Sequence, residues 1–76
     1  MEINEFVQNF ASLFDETEAS EFTAKTNFRE IDEWSSFLVL SIIAMVDAEY
    51  KVKISGDEIR TAQTILDIYN LVKSKI

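Results

Sequence analysis

Apolar residues recur at helical spacing in three stretches of the chain. Ile3, Phe6, Val7, Phe10, Leu13 and Phe14 fall at i, i+3, i+4, i+7, i+10 and i+11 and form one face of a helix predicted over residues 2 to 14. Val39, Ile42, Ile43, Val46 and Tyr50 make a second stripe, and Ile65, Ile68, Tyr69, Val72 and Ile76 a third. Start signals agree with the third stripe: Thr64 with Asp67 reads as a capping box, and Lys73 and Lys75 complement the dipole in the last turn. Ser55-Gly56-Asp57-Glu58 is another such box, but Thr61 and Thr64 follow Ile59 closely, so the helix it opens is short.

Between the first stripe and the second lie about twenty residues without clear periodicity, a length that in a compact domain usually means function or disorder. Phe22, Phe28, Ile31 and Trp34 argue for order, as anchors that pin the loop across the helix ends and frame the start of the second helix. That helix opens at Glu33-Trp34-Ser35-Ser36-Phe37-Leu38. Ser36 falls on its first turn, where free N–H groups and the positive end of the macrodipole suit a phosphate group. The expected architecture is all-α: a four-helix bundle with three main helices, a short third one and a long first loop.

Composition narrows the chemistry. The chain has 76 residues, read as one domain over 1–76, with no Pro and one Gly, Gly56. So short a domain has a thin core, and with no Cys and no His it has neither disulfides nor the common thiolate and imidazole chemistry. Any reactive thiol must be imported. Phe37 to Val46 is too short for a membrane span, which takes about 20 apolar residues, and Glu2 and Glu5 do not suit a signal peptide, so a cytoplasmic protein is expected. The acid-rich stretch Asp15-Glu16-Thr17-Glu18-Ala19 lacks the ligand spacing and glycine of a calcium loop.

The formal charge is −7, and all of it lies ahead of the second stripe. Residues 1 to 38 hold nine acids against Lys25 and Arg29, whereas residues 39 to 76 hold five acids and five bases. Such a surface suits a basic protein patch and repels nucleic acid.

With these features in view, the chain resembles an acyl carrier protein from end to end. That family carries Asp-Ser-Leu at the start of its second helix, where this chain has Ser35-Ser36-Phe37. Its acidic-aromatic helix end is matched by Asp47-Ala48-Glu49-Tyr50-Lys51-Val52-Lys53-Ile54, and its short third helix by Ile54-Ser55-Gly56-Asp57-Glu58-Ile59. The resemblance implies that Ser36 carries 4′-phosphopantetheine, delivered from coenzyme A by a phosphopantetheinyl transferase. It implies carriage rather than catalysis: a monomer that presents acyl thioesters to fatty acid or polyketide-type enzymes such as a ketosynthase or an acyl ligase. An acyl chain could shelter in the bundle against Val39, Ile43, Val46, Ile54, Ile59 and Ile68.

Two residues depart from the family pattern. Ser35 replaces its Asp and Phe37 its Leu; a serine can cap a helix as an aspartate does, but it brings no charge. The second helix is also less acidic than the family's, with Asp47 and Glu49 as its only acids. The residues expected to meet partners are therefore the loop acids Glu30, Asp32 and Glu33 together with Phe37, Leu38, Ser41 and Asp47. Ser41 could equally bond back to its own helix, while Met45 is assigned to the core and Trp34 to anchoring. The alternative is a helical interaction module that keeps the carrier fold but is not phosphopantetheinylated.

Overall fold

The computed structural model describes residues 2–76 and places four α-helices in them: α1 (Ile3–Ala11), α2 (Ser36–Tyr50), α3 (Gly56–Thr61) and α4 (Ile65–Ser74). The all-α bundle with three main helices, a short third helix and a long first loop is the observed architecture. α1 packs on α4 and α2, and α3 packs on α2. No helix of the described residues is long and apolar enough to cross a membrane.

Both sequence boxes close as reciprocal pairs. Ser55 Oγ accepts from the Glu58 amide while the Glu58 carboxylate accepts from the Ser55 amide, and Thr64 and Asp67 repeat the arrangement at α4. Each box satisfies amides that a helix start leaves free. α1 is shorter than its apolar spacing predicts. Its cap is Ser12, and the amides of Leu13 and Phe14 bond to Phe10 and Ala11, three residues back. The Glu33 carboxylate accepts the next amides, those of Asp15 and Glu16, at 2.8 and 3.1 Å, so the chain is drawn away from the helix axis. Phe14 is nevertheless buried.

The long loop is ordered by its aromatics. Phe22 and Phe28 are buried against Phe10, and Trp34 stands with its ring centroid 4.7 Å from that of Phe28. Two 3₁₀ turns, Ala19–Glu21 and Phe28–Glu30, punctuate it. Its backbone also completes the start of α4: Thr26 and Ala24 carbonyls accept from the Ile65 and Leu66 amides at 3.2 and 2.8 Å. The loop is thus tied to the far end of the sequence by groups that a helix start must place somewhere.

α2 is apolar nearly all round, and its inward face is Leu38, Ile42, Met45 and Val46. Of the stripe expected from spacing, Ile42 and Val46 are fully buried, whereas Val39, Ile43 and Tyr50 are only half-buried. Ile76, the last member of the third stripe, lies beyond α4 and is exposed. α2 ends at Lys51 in the left-handed conformation, φ 57° and ψ 37°, a position that usually favours glycine.

Candidate functional site

Ser36 is the first residue of α2 and is exposed. Ser35 occupies the N-cap position with extended backbone, and its carbonyl accepts from the Leu38 and Val39 amides at 3.0 and 3.3 Å. Its hydroxyl makes no capping bond, contrary to the expectation that serine would cap in place of aspartate. With ψ at 171° the Ser35 backbone starts the helix, but its side chain leaves the first-turn amides alone. The first turn of α2 also contains no acid.

Beside Ser36 lies a groove of about 470 Å³ between α2 and α3. Ser36, Val39, Leu40 and Ile43 form one wall, at the i, i+3, i+4 and i+7 positions of α2. Gly56, Ile59 and Arg60 of α3 form the other, and Arg29 and Trp34 of the loop complete it. Gly56 faces Val39 across the groove, where a Cβ would stand 3.7 Å from Val39 Cγ1, an ordinary contact. Of the residues expected to shelter an acyl chain, half-buried Val39 and Ile43 line this groove and Ile59, itself a core residue, lies at its floor, whereas Val46, Ile54 and Ile68 are in the core alone.

The expected partner residues fall into separate places. Glu30 and Asp32 are exposed and line, with Glu33, a second groove of about 530 Å³ that also holds Glu16 and Glu21. Glu33 is half-buried and already engaged, accepting from the Asp15 and Glu16 amides and from Thr17 Oγ1 at 3.0 Å. Desolvation pushes its carboxyl upward, but the hydrogen bonds from Asp15, Glu16 and Thr17 outweigh that and hold it below the ordinary glutamate value. Its first role is to brace the loop.

On α2 itself, Phe37 is 71% exposed and Leu38 only 3%. Leu38 is therefore a core residue in this structure, without the open surface expected of a docking residue. Leu40, which spacing did not single out, is 66% exposed and extends the Phe37 patch. Ala44 and Ala48 continue it along the same side. Ser41 donates to the Phe37 carbonyl at 3.1 Å, the local bond open to a helical serine. Asp47 forms an exposed ion pair with Lys53 at 3.0 Å. Met45 is buried, and Trp34 is a half-buried anchor that also faces the groove.

No protein-family model, curated protein or solved structure matches the chain.

Proposed function

We propose that the chain is a carrier that holds acyl groups on 4′-phosphopantetheine attached to Ser36 and presents them to fatty acid or polyketide-type enzymes. The observation that carries this reading is the position of Ser36: an exposed hydroxyl on the first turn of a fifteen-residue apolar helix, at the rim of an apolar groove. The end-to-end resemblance to acyl carrier proteins supports it, and so does the bundle with its long loop and short α3. The site fits such a group, since the hydroxyl is reachable and the groove is walled by aliphatic side chains with arginines and no carboxylate among its lining residues.

The chain contributes a nucleophile and a rigid mount. Ser36 Oγ gives up its proton and forms a bond to phosphorus as the diphosphate linkage of coenzyme A breaks and adenosine 3′,5′-bisphosphate leaves. The base for that proton belongs to the transferase, because the first turn of α2 holds no acid and no carboxylate lines the groove beside Ser36. Once bound, the group supplies a terminal thiol that holds acyl groups as thioesters. Trp34 and Phe28 hold the loop against the bundle so that Ser36 keeps one position, and exposed Phe37 and Leu40 offer apolar contact to a partner enzyme. On this reading the protein works as a monomer in the cytoplasm and catalyses nothing itself.

A second reading, a carrier-fold interaction module without the arm, is favoured by the absence of the family's Asp at Ser35 and by the exposed Phe37 and Leu40. Intact mass separates the two. Incubation with coenzyme A and a broad-specificity phosphopantetheinyl transferase should add one phosphopantetheine group, and Ser36→Ala should abolish the addition. If several transferases label neither the native chain nor Ser35→Asp, the carrier reading fails and the module stands.

A further inference from the structure

The chain has only two arginines, Arg29 and Arg60, and both line the groove beside Ser36. They come from separate elements, the loop and α3, and the Arg29 guanidinium donates to the Arg60 main-chain carbonyl at the end of α3. The chain carries 14 acidic residues, yet none lines this groove. Arg60 is balanced by Asp57 at 2.6 Å in an exposed ion pair. Arg29 forms no ion pair among the described residues. A guanidinium presents five N–H donors, so the bond to the Arg60 carbonyl leaves most of its fork available. In a chain of net charge −7, an arginine without a carboxylate partner at an acid-free apolar groove is complementary to an anionic group on an apolar body.

We infer that the groove is a seat for the prosthetic arm itself: Arg29 holds the phosphate of a 4′-phosphopantetheine on Ser36, and Val39, Ile43 and Ile59 receive its dimethyl-bearing body. This rests on the carrier reading above. Geometry favours this occupant because an ester on Ser36 Oγ begins at the groove wall, and tethering supplies an effective concentration in the millimolar range without any added ligand. The groove, about 470 Å³, is within the span of roughly 300–1,000 Å³ typical of small-molecule sites. Arg29 thus places a positive charge near Ser36, while the carrier family's charged residue there is the negative one that Ser35 replaces.

Proton NMR of the phosphopantetheinylated chain tests the seat. The arm's geminal methyl signals should show nuclear Overhauser contacts to Val39, Ile43 or Ile59, and the Trp34 indole signal should shift on labelling. Arg29→Gln should lose these contacts while Ser36 is still labelled, and Arg29→Lys should keep part of them; circular dichroism identifies any variant that fails to fold, in which case raising the salt on the native labelled chain replaces it and should weaken the contacts. A labelled chain whose arm shows no contact to the groove overturns the inference and leaves the carrier reading intact. If several transferases label neither the native chain nor Ser35→Asp, the carrier reading falls, and free 4′-phosphopantetheine titrated into the unmodified chain decides the groove alone. Saturable millimolar shifts at Arg29 and Trp34 that vanish with pantetheine lacking the phosphate support it, and no shift overturns it.

Discussion

Two of the grooves that flank the long loop are electrostatic opposites. One is lined by Glu16, Glu21, Glu30, Asp32 and Glu33; the other, beside Ser36, is lined by Arg29 and Arg60 and by no carboxylate. The switch occurs between neighbours in sequence, because Arg29 lines one groove and Glu30 the other. A tight 3₁₀ turn over Phe28–Glu30 carries both residues, with Phe28 fully buried beneath it. Net charge along the chain describes only half of this arrangement. The acidic half of the sequence also supplies Arg29, the cation nearest in sequence to Ser36, and the fold turns it toward the groove that Ser36 lines.

The severest way to break the contrast is to remove its pivot. Phe28→Ala should cost about 3–5 kcal/mol, the usual loss for a fully buried phenylalanine, and should dissolve both grooves together. Chemical denaturation reads this directly. A loss below 1 kcal/mol would mean that the loop is held by its backbone bonds to α4 rather than by its aromatics.

Charge reversal should separate the acidic groove from the apolar patch. Glu30→Lys with Asp32→Lys should slow association with a partner enzyme roughly tenfold at low ionic strength and flatten its salt dependence, as steering charges do. Phe37→Ala should instead speed dissociation, since burying a phenylalanine side chain contributes about 1.5–3 kcal/mol. Stopped-flow kinetics at two ionic strengths distinguishes them. Unchanged dissociation in Phe37→Ala would leave recognition wholly electrostatic.

Acidification should loosen one side of the loop before the other. The folded carboxyl of Glu33 lies below its ordinary value, so its contribution is fully present above about pH 4.3, the unperturbed glutamate value, and is lost as pH falls through the lower folded value. Hydrogen exchange should show the Asp15 and Glu16 amides losing protection in that window, and Glu33→Gln should remove the pH dependence. Arg29 keeps its charge throughout. The same sign holds at Asp67, lowered by hydrogen bonds from the Gln63 and Thr64 amides, so the start of α4 should also fray in acid.

The mildest change should be Ser35→Asp, which adds a carboxylate at the start of α2. Stability should rise by about 0.3–1 kcal/mol, as for a charge near a helix N-terminus, because the native Ser35 side chain makes no cap bond to lose. Labelling by a general transferase should become faster. An unchanged rate would show that the transferase ignores this carboxylate.

Helix starts were legible in the sequence because they are local. Ser55 with Glu58 and Thr64 with Asp67 satisfy amides only three residues away, so residue type and spacing suffice. Ser36 at the head of an apolar helix was legible for the same reason. The end of α1 was not, since Phe10, Leu13 and Phe14 continue its pattern while Glu33, distant in sequence, captures the amides beyond it. The missing cap at Ser35 was hidden too, because a serine at the right position need not turn its hydroxyl inward.

The sequence by itself determined the class of fold, the number of helices and the place of Ser36 at the head of the apolar second helix. Only the tertiary structure decided which side of α2 faces inward. That helix is apolar almost all round, so spacing leaves open whether Val39 and Ile43 or Leu38 and Met45 join Ile42 and Val46 in the core, and the packing of the bundle buries the second pair. The choice buries Leu38, exposes Leu40 and turns Val39 and Ile43 into a groove wall beside Ser36. It also sets that wall against arginines from two distant segments. Periodicity is a property of one helix, whereas the facing of an all-apolar helix and the meeting of Arg29 with Arg60 belong to the packing of several.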